Sequence, residues 1–213
     1  MATDAHRLAL TKASLNEATS ESINGIVPRK SINEIGKLVG DSSENVVIKL
    51  GQTSIAVNMS GTSFISKLIE GKFPDYEQVI PSGESSLLVI DRKIFSNSLS
   101  RVSVLSSEKY KGVRLITSKD GVRISANNPE QEEAEEFFPA SYKGEDLDIA
   151  FNVTYLQEIM SHMQTDTCNI NFFGSDKSCL LTPPSSDSPK YVAVSYTHLR
   201  AHETLRYLVC RLL

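Results

Sequence analysis

An α+β fold of repeated helix-plus-hairpin units is predicted by three observations. Two stretches about 124 positions apart follow one plan, each holds an amphipathic helix, and each continues into short alternating strands joined by polar turns. In the first copy, residues 26–39, Ile32, Ile35, Leu38 and Val39 fall at helical spacing, and Pro28 sits where a first helical turn tolerates it. In the second, residues 151–163, Leu156, Ile159 and Met163 recur in step, with Asn152 placed to cap the helix. The first helix leads into strands at 45–51 and 54–59, the second into strands at 168–174 and 178–182, and the period of two with turn residues between them predicts hairpins. Upstream of the second copy stands a further half-unit: a helix with apolar Ile90, Ile94, Phe95, Leu99, Val102 and Leu105, then a hairpin over 112–125. The register reaches back to Ala2-Thr3-Asp4, which lies 124 positions before Ala126-Asn127-Asn128, yet no half-unit precedes it. The chain is therefore expected to begin inside a longer series, with Met1 a valine codon read as an initiator.

Composition narrows the function classes. At 213 residues the chain can form one large domain or two small ones, and 40% apolar with 23% charged residues excludes a disordered or fibrous protein. No apolar run approaches the roughly 18 to 20 residues of a membrane helix, and no secretory signal is read at the start, so a cytoplasmic protein without membrane partners is expected. A net charge of −4 excludes wholesale phosphate neutralisation, so any DNA contact must be local or topological. Cys168, Cys179 and Cys210 lack paired spacing, which predicts reduced thiols and neither a zinc ribbon nor a disulfide framework.

Four segments carry a resemblance to a known family: Ala2-Thr3-Asp4-Ala5-His6-Arg7-Leu8-Ala9, Val27-Pro28-Arg29-Lys30, the stretch from Ser66-Lys67-Leu68 through Gly71-Lys72-Phe73-Pro74-Asp75-Tyr76, and Ser125-Ala126-Asn127-Asn128-Pro129-Glu130-Gln131-Glu132-Glu133-Ala134-Glu135-Glu136. Over residues 2 to about 193 the sequence resembles the bacterial DNA sliding clamp, the beta subunit of DNA polymerase III. The resemblance implies a DNA clamp fold, with helices on the DNA-facing side and sheets outside. Residues 1–82 resemble the second half of the middle clamp domain and 83–193 the C-terminal one. A family subunit has three such domains, and two subunits close head to tail into a homodimer ring around duplex DNA. The implied role is a non-catalytic processivity factor without cofactor or metal; DNA-directed DNA polymerase activity would belong to the holoenzyme.

The resemblance also implies three surfaces. A pocket for short peptide motifs of the replicative polymerase and the clamp loader would use Thr3, His6, Arg7, Leu8, Pro74, Gln78, Val79, Asn152, Tyr155 and Val192, with apolar walls for leucine and aromatic anchors and a polar rim. The ring interface would use Val104 and Leu105, with Glu130, Gln131, Glu132, Glu133, Glu135 and Glu136 facing basic residues of the neighbouring subunit. DNA phosphates would be met by Arg29, Lys30 and Lys37 on one helix and by Arg92, Lys93 and Arg101 on another, without base readout. Two departures count against peptide binding by this chain: Ala5 stands where the family has glycine, and the family's Met-Pro-Met-type ending is replaced.

That replacement begins at Val194. The string from Val194-Ser195-Tyr196 to His202-Glu203-Thr204 resembles the in-frame translation of a transposase-type sequencing adapter, with Leu205 and Arg206 its variable index and Leu208-Val209-Cys210-Arg211-Leu212-Leu213 the following primer. Residues 194–213 are therefore expected to be non-native, and the spacing of His198 and His202 is not read as a metal site.

Two other function classes compete. A small hydrolase could use Asp4, His6 and a serine, but no Gly-x-Ser-x-Gly elbow, Walker loop or dinucleotide fingerprint is present. Asp4 and His6 share one side of a strand by period, as an ordinary hydrogen-bonded pair would. A peptide-binding scaffold that does not encircle DNA is the other alternative.

Overall fold

A computed structural model of the chain describes residues 1–14, 23–40, 44–71, 73 and 75–196. In chain order the elements are β1 (Ala2–Thr3), β2 (Arg7–Leu10), α1 (Arg29–Val39), β3 (Val47–Leu50), β4 (Ser54–Met59), β5 (Thr62–Lys67), β6 (Ser86–Asp91), α2 (Arg92–Val102), a 3-10 turn (Ser103–Leu105), β7 (Gly112–Ser118), β8 (Gly121–Asn127), β9 (Glu133–Phe138), β10 (Ser141–Lys143), β11 (Leu147–Asn152), α3 (Val153–His162), β12 (Thr167–Phe172), β13 (Cys179–Thr182) and β14 (Lys190–Ala193). Every paired strand is antiparallel, and the fold class is α+β. The chain divides into one compact unit of Met1–Ala13 with the residues from Glu77 onward, and a second of Ser14–Tyr76.

The smaller unit is α1 with the sheet β3-β4-β5. The predicted hairpin forms, pairing Leu50 with Ile55, and an unpredicted strand, β5, extends it. A two-residue turn joins β4 to β5: Ser60 and Gly61 both take positive φ, which matches the twist of a tight hairpin. Pro28 stands just outside α1, where its missing N–H costs nothing, and Ser31 fixes the helix to the sheet through a 2.6 Å contact with the Ser66 hydroxyl. Val57 is buried under α1's unit, whereas Ile32, Ile48 and Ile65 are exposed.

The larger unit holds a seven-stranded sheet, β1-β2-β14-β13-β12-β6-β10, and a four-stranded sheet, β11-β7-β8-β9. It contains two like halves, β6-α2-β7-β8-β9 and β11-α3-β12-β13-β14, and they exchange their leading strands: β6 pairs with β12 and β11 with β7. Asp91 and Asn152 end those strands and cap the helices, accepting from the Ile94 and Thr154 N–H groups at 2.9 Å each. α2 packs on α3, and Phe95, Leu99, Leu156, Ile159 and Met160 meet Leu115, Ile124, Ile170 and Leu181 in one core. The predicted apolar face of α2 is narrower than its spacing implied, because Ile90 lies in β6 and Ile94 faces out. α1 and α3 each precede an antiparallel hairpin, β3-β4 and β12-β13, with different strand lengths and pairing register.

Candidate functional site

The β1–β2 hairpin turns through Asp4, Ala5 and His6. Asp4 Oδ1 accepts the backbone N–H groups of His6 at 3.1 Å and Arg7 at 3.0 Å, and the Thr3 hydroxyl donates to the Arg7 carbonyl at 2.8 Å. These local bonds hold Ala5 at φ 72°, a conformation that costs a residue with a Cβ about 1 kcal/mol. The turn expected of glycine therefore forms with alanine. Asp4 and His6 lie in this turn rather than along a strand, so the expected strand-face pairing does not arise.

Strand alternation then sends Arg7 toward α3 and Leu8 to the opposite face of the sheet. The Arg7 guanidinium carbon stands 4.5 Å from the Tyr155 ring centroid, Nε lies 3.0 Å from Asp4 Oδ2, and Nη1 reaches Glu158 Oε2 at 2.5 Å. The His6 ring stacks on Tyr155 with centroids 6.3 Å apart and planes inclined by 23°. Burial acts to raise the Asp4 carboxyl, but the Arg7 side chain and the His6 and Arg7 N–H groups outweigh it and hold it below its ordinary value. Burial likewise acts to lower Arg7, and hydrogen bonds to Asp4 and Glu158 overcome it, so the guanidinium is firmly charged.

On the other face Leu8 pairs across strands with Val192 and with Thr3, and both Leu8 and Val192 are buried. The sequence-derived pocket residues thus form two groups: His6, Arg7 and Tyr155, with Asn152 at the start of α3, and Leu8 with Val192 and Thr3. Gln78 and Val79 lie on an exposed turn, and Pro74 lies outside the described residues. Residues following β14 bond back to this turn and to β11. The Val194 N–H donates to the His6 carbonyl at 3.0 Å, the Tyr196 N–H to the Ala150 carbonyl at 2.7 Å, and the Tyr196 hydroxyl to the Tyr110 carbonyl at 2.8 Å. The rest of the expected tail, including Cys210 and the two histidines, lies outside the described residues. Glu158, which the sequence reading did not single out, joins this cluster through Arg7; its signal is the Tyr155-x-x-Glu158 spacing, which puts both on one helix face.

A second surface surrounds β9, the edge strand of its sheet. Val104 is 78% exposed and Leu105 half-buried. Of the acidic run, Glu130 and Glu133 face solvent, as does Gln131, while three carboxylates are engaged within the chain: Glu132 with the Asn128 amide at 2.7 Å, Glu135 with Arg123 at 2.7 Å, and Glu136 with Arg101. The basic residues expected to face DNA divide similarly. Arg29, Lys30 and Lys93 are exposed, Lys37 pairs with Glu34 at 2.9 Å, and Arg92 turns back to donate to the Thr165 carbonyl at 2.9 Å and the Met160 carbonyl at 3.4 Å. Arg92 thus caps the end of α3.

Residues 1–75 match the family model of the DNA polymerase III beta subunit, central domain, and residues 77–197 that of its C-terminal domain. The beta sliding clamp of Pseudomonas putida strain KT2440 is 42% identical over 194 residues, and that of Escherichia coli K12 is 33% identical over 195. Each match covers 91% of this chain and 53% of the relative, so the chain spans about half the length of the curated relatives it matches. A crystal structure of the DNA polymerase III subunit beta from Pseudomonas aeruginosa superposes with a TM-score of 0.88 at 40% identity, over 92% of this chain and 53% of that one. A sliding clamp of the same species bound to griselimycin matches with the same score, identity and coverage.

Proposed function

The chain belongs to the bacterial sliding clamp family, the beta subunit of DNA polymerase III, and on that premise we propose that its intact parent is a processivity factor. The parent encircles duplex DNA as a head-to-tail homodimer and tethers the replicative polymerase and the clamp loader through short peptide motifs. It works in the cytoplasm; among the described residues no helix is long and apolar enough to cross a membrane. It is non-catalytic: the Asp4 carboxylate, the one acid a hydrolase reading could use beside His6, is committed to its own turn and to Arg7.

The observation that carries this reading is the match of two clamp-domain models in succession, over residues 1–75 and 77–197. Local geometry adds support. The partly exposed His6, Arg7 and Tyr155 cluster offers a polar and aromatic surface for a partner's anchors, while Leu8 and Val192 are buried on the other face of the sheet and support it from behind. The edge of β9, which pairs on one side only among the described residues, and exposed Val104 suit contact with a neighbouring subunit. Exposed Arg29, Lys30 and Lys93 suit weak, sequence-independent phosphate contact, which lets a closed ring slide. The domain division belongs to the same reading: 1–82 from the middle domain, 83–193 the last domain, and 194–213 adapter-derived. β1 and β2 are then the middle domain's contribution to a sheet headed by β14.

The test uses the full-length gene product loaded on nicked circular duplex DNA. Retention through gel filtration in high salt, with release on linearisation, is expected. Release from the uncut circle at the same rate would leave a peptide-binding scaffold that does not encircle DNA.

A further inference from the structure

Arg7 is the centre of the rim cluster, and what holds it there is a pair of carboxylates from two separate parts of the chain. Asp4 comes from the same hairpin, three residues away, while Glu158 comes from α3, 151 positions on. Glu158 sits one helical turn beyond Tyr155, so the carboxylate that binds the guanidinium and the ring that its central carbon stands over project from one helix. His6 stacks on that same ring. A free arginine side chain samples many rotamers, and ordering it costs entropy that a binding site must recover unless the side chain is already fixed.

We propose that Glu158 is a positioning residue of the peptide site: with Asp4 it clamps Arg7 over Tyr155, and this fixes the His6–Arg7 turn as a preformed platform for an apolar, aromatic-anchored peptide. The inference rests on the peptide-site reading given above. A guanidinium shared by two carboxylates has little charge left for an acidic ligand, so the cluster recognises by shape and stacking rather than as a cation. Glu158 touches no ligand in this scheme and acts only through Arg7.

Two measurements on the full-length gene product test it, using the variants Glu158→Gln, Arg7→Ala and the double variant. The first is the NMR signature of the Tyr155 ring and His6 imidazole in the free protein. Glu158→Gln is expected to shift and broaden both, with no further change when added to Arg7→Ala, because the effect passes through Arg7. Unmoved ring signals in Glu158→Gln, or an equal added change without Arg7, would overturn the positioning role. The second is titration with a synthetic peptide carrying adjacent leucine and phenylalanine. Glu158→Gln is expected to weaken its affinity about five-fold in the parent and by less than about two-fold in Arg7→Ala. Absence of saturable binding by the unaltered full-length gene product would overturn the peptide-site reading and the ligand half of this inference, even where the ring signals respond as expected.

Discussion

Arg101 and Glu136 join α2 to β9 through a two-pronged ion pair, with Arg101 Nε 3.0 Å from Glu136 Oε2 and the second guanidinium nitrogen on Oε1. The Ser98 hydroxyl, buried beneath them, donates to the same carboxylate at 3.0 Å. Sequence reasoning assigned the arginine to DNA and the glutamate to a neighbouring subunit. In the folded chain the two side chains pair with each other across the surface.

This pair predicts a pH effect of definite sign. The hydrogen bond from Arg101, followed by that from Ser98, holds the Glu136 carboxyl below its ordinary value of 4.5 despite some burial. A depressed folded pKa means that the stabilisation is present above pH 4.5 and is lost as pH falls through the folded value. Glu136→Gln is expected to flatten the acid limb of a plot of melting temperature against pH, modestly because the pair faces solvent. An acid limb identical to that of the parent would contradict the assignment.

Phe95 is fully buried and meets Phe138 edge-on, with ring centroids 6.1 Å apart. Removing it leaves a cavity between α2 and the four-stranded sheet, so Phe95→Ala is expected to cost about 3 to 5 kcal/mol. Urea unfolding followed by circular dichroism should show the midpoint fall with an unchanged slope.

The Ser195 hydroxyl is buried and has no hydrogen-bond partner among the described residues. A hydroxyl stripped of water without a partner is a cost, so Ser195→Ala is expected to stabilise the chain by about 1 kcal/mol. A lowered melting temperature would show that the hydroxyl has a partner after all.

Cys168 and Cys179 are both buried free thiols, and burial pushes the Cys168 thiol up to about 12 and Cys179 higher still. Neither presents a thiolate near neutral pH. Alkylation with iodoacetamide, mapped by mass spectrometry, should leave both unmodified in native buffer and modify both in denaturant.

Ile48 and Ile65 are 62% and 70% exposed on a three-stranded sheet whose outer strands, β3 and β5, each pair on one side only among the described residues. Apolar side chains beside open strand edges favour association between copies. The chain is expected to sediment as a mixture of larger species, and Ile48→Lys with Ile65→Lys to shift it toward the monomer. A sharp monomeric boundary for the unaltered chain would remove the basis of this prediction.

What was legible in the sequence was local. The spacing of Leu156, Ile159 and Met163 identified α3, Asn152 its cap, and the alternation over 112–125 the β7–β8 hairpin, because each signal lies within one element. The stacked cluster was half legible: His6, Arg7 and Tyr155 came from the family resemblance, while Glu158 needed knowledge that α3 faces a hairpin some 150 positions away. Ile90 was assigned to a helix because a strand running straight into α2 keeps an apolar residue in apparent helical step. Long-range strand pairing leaves no periodic trace, so the partners of β2, β6 and β11 could not be read in advance.

The exchange of leading strands between the two halves of the larger unit constrains how that unit can come apart. Because β6 is stitched beside β12 and β11 beside β7, a protease cut in the loop between β10 and β11 would sever the backbone yet release neither piece, each remaining bound by six consecutive rungs of the other's ladder. Melting of either piece would strip an edge from its sister, so the pair should lose order in a single step, and no surviving half should accumulate along the way.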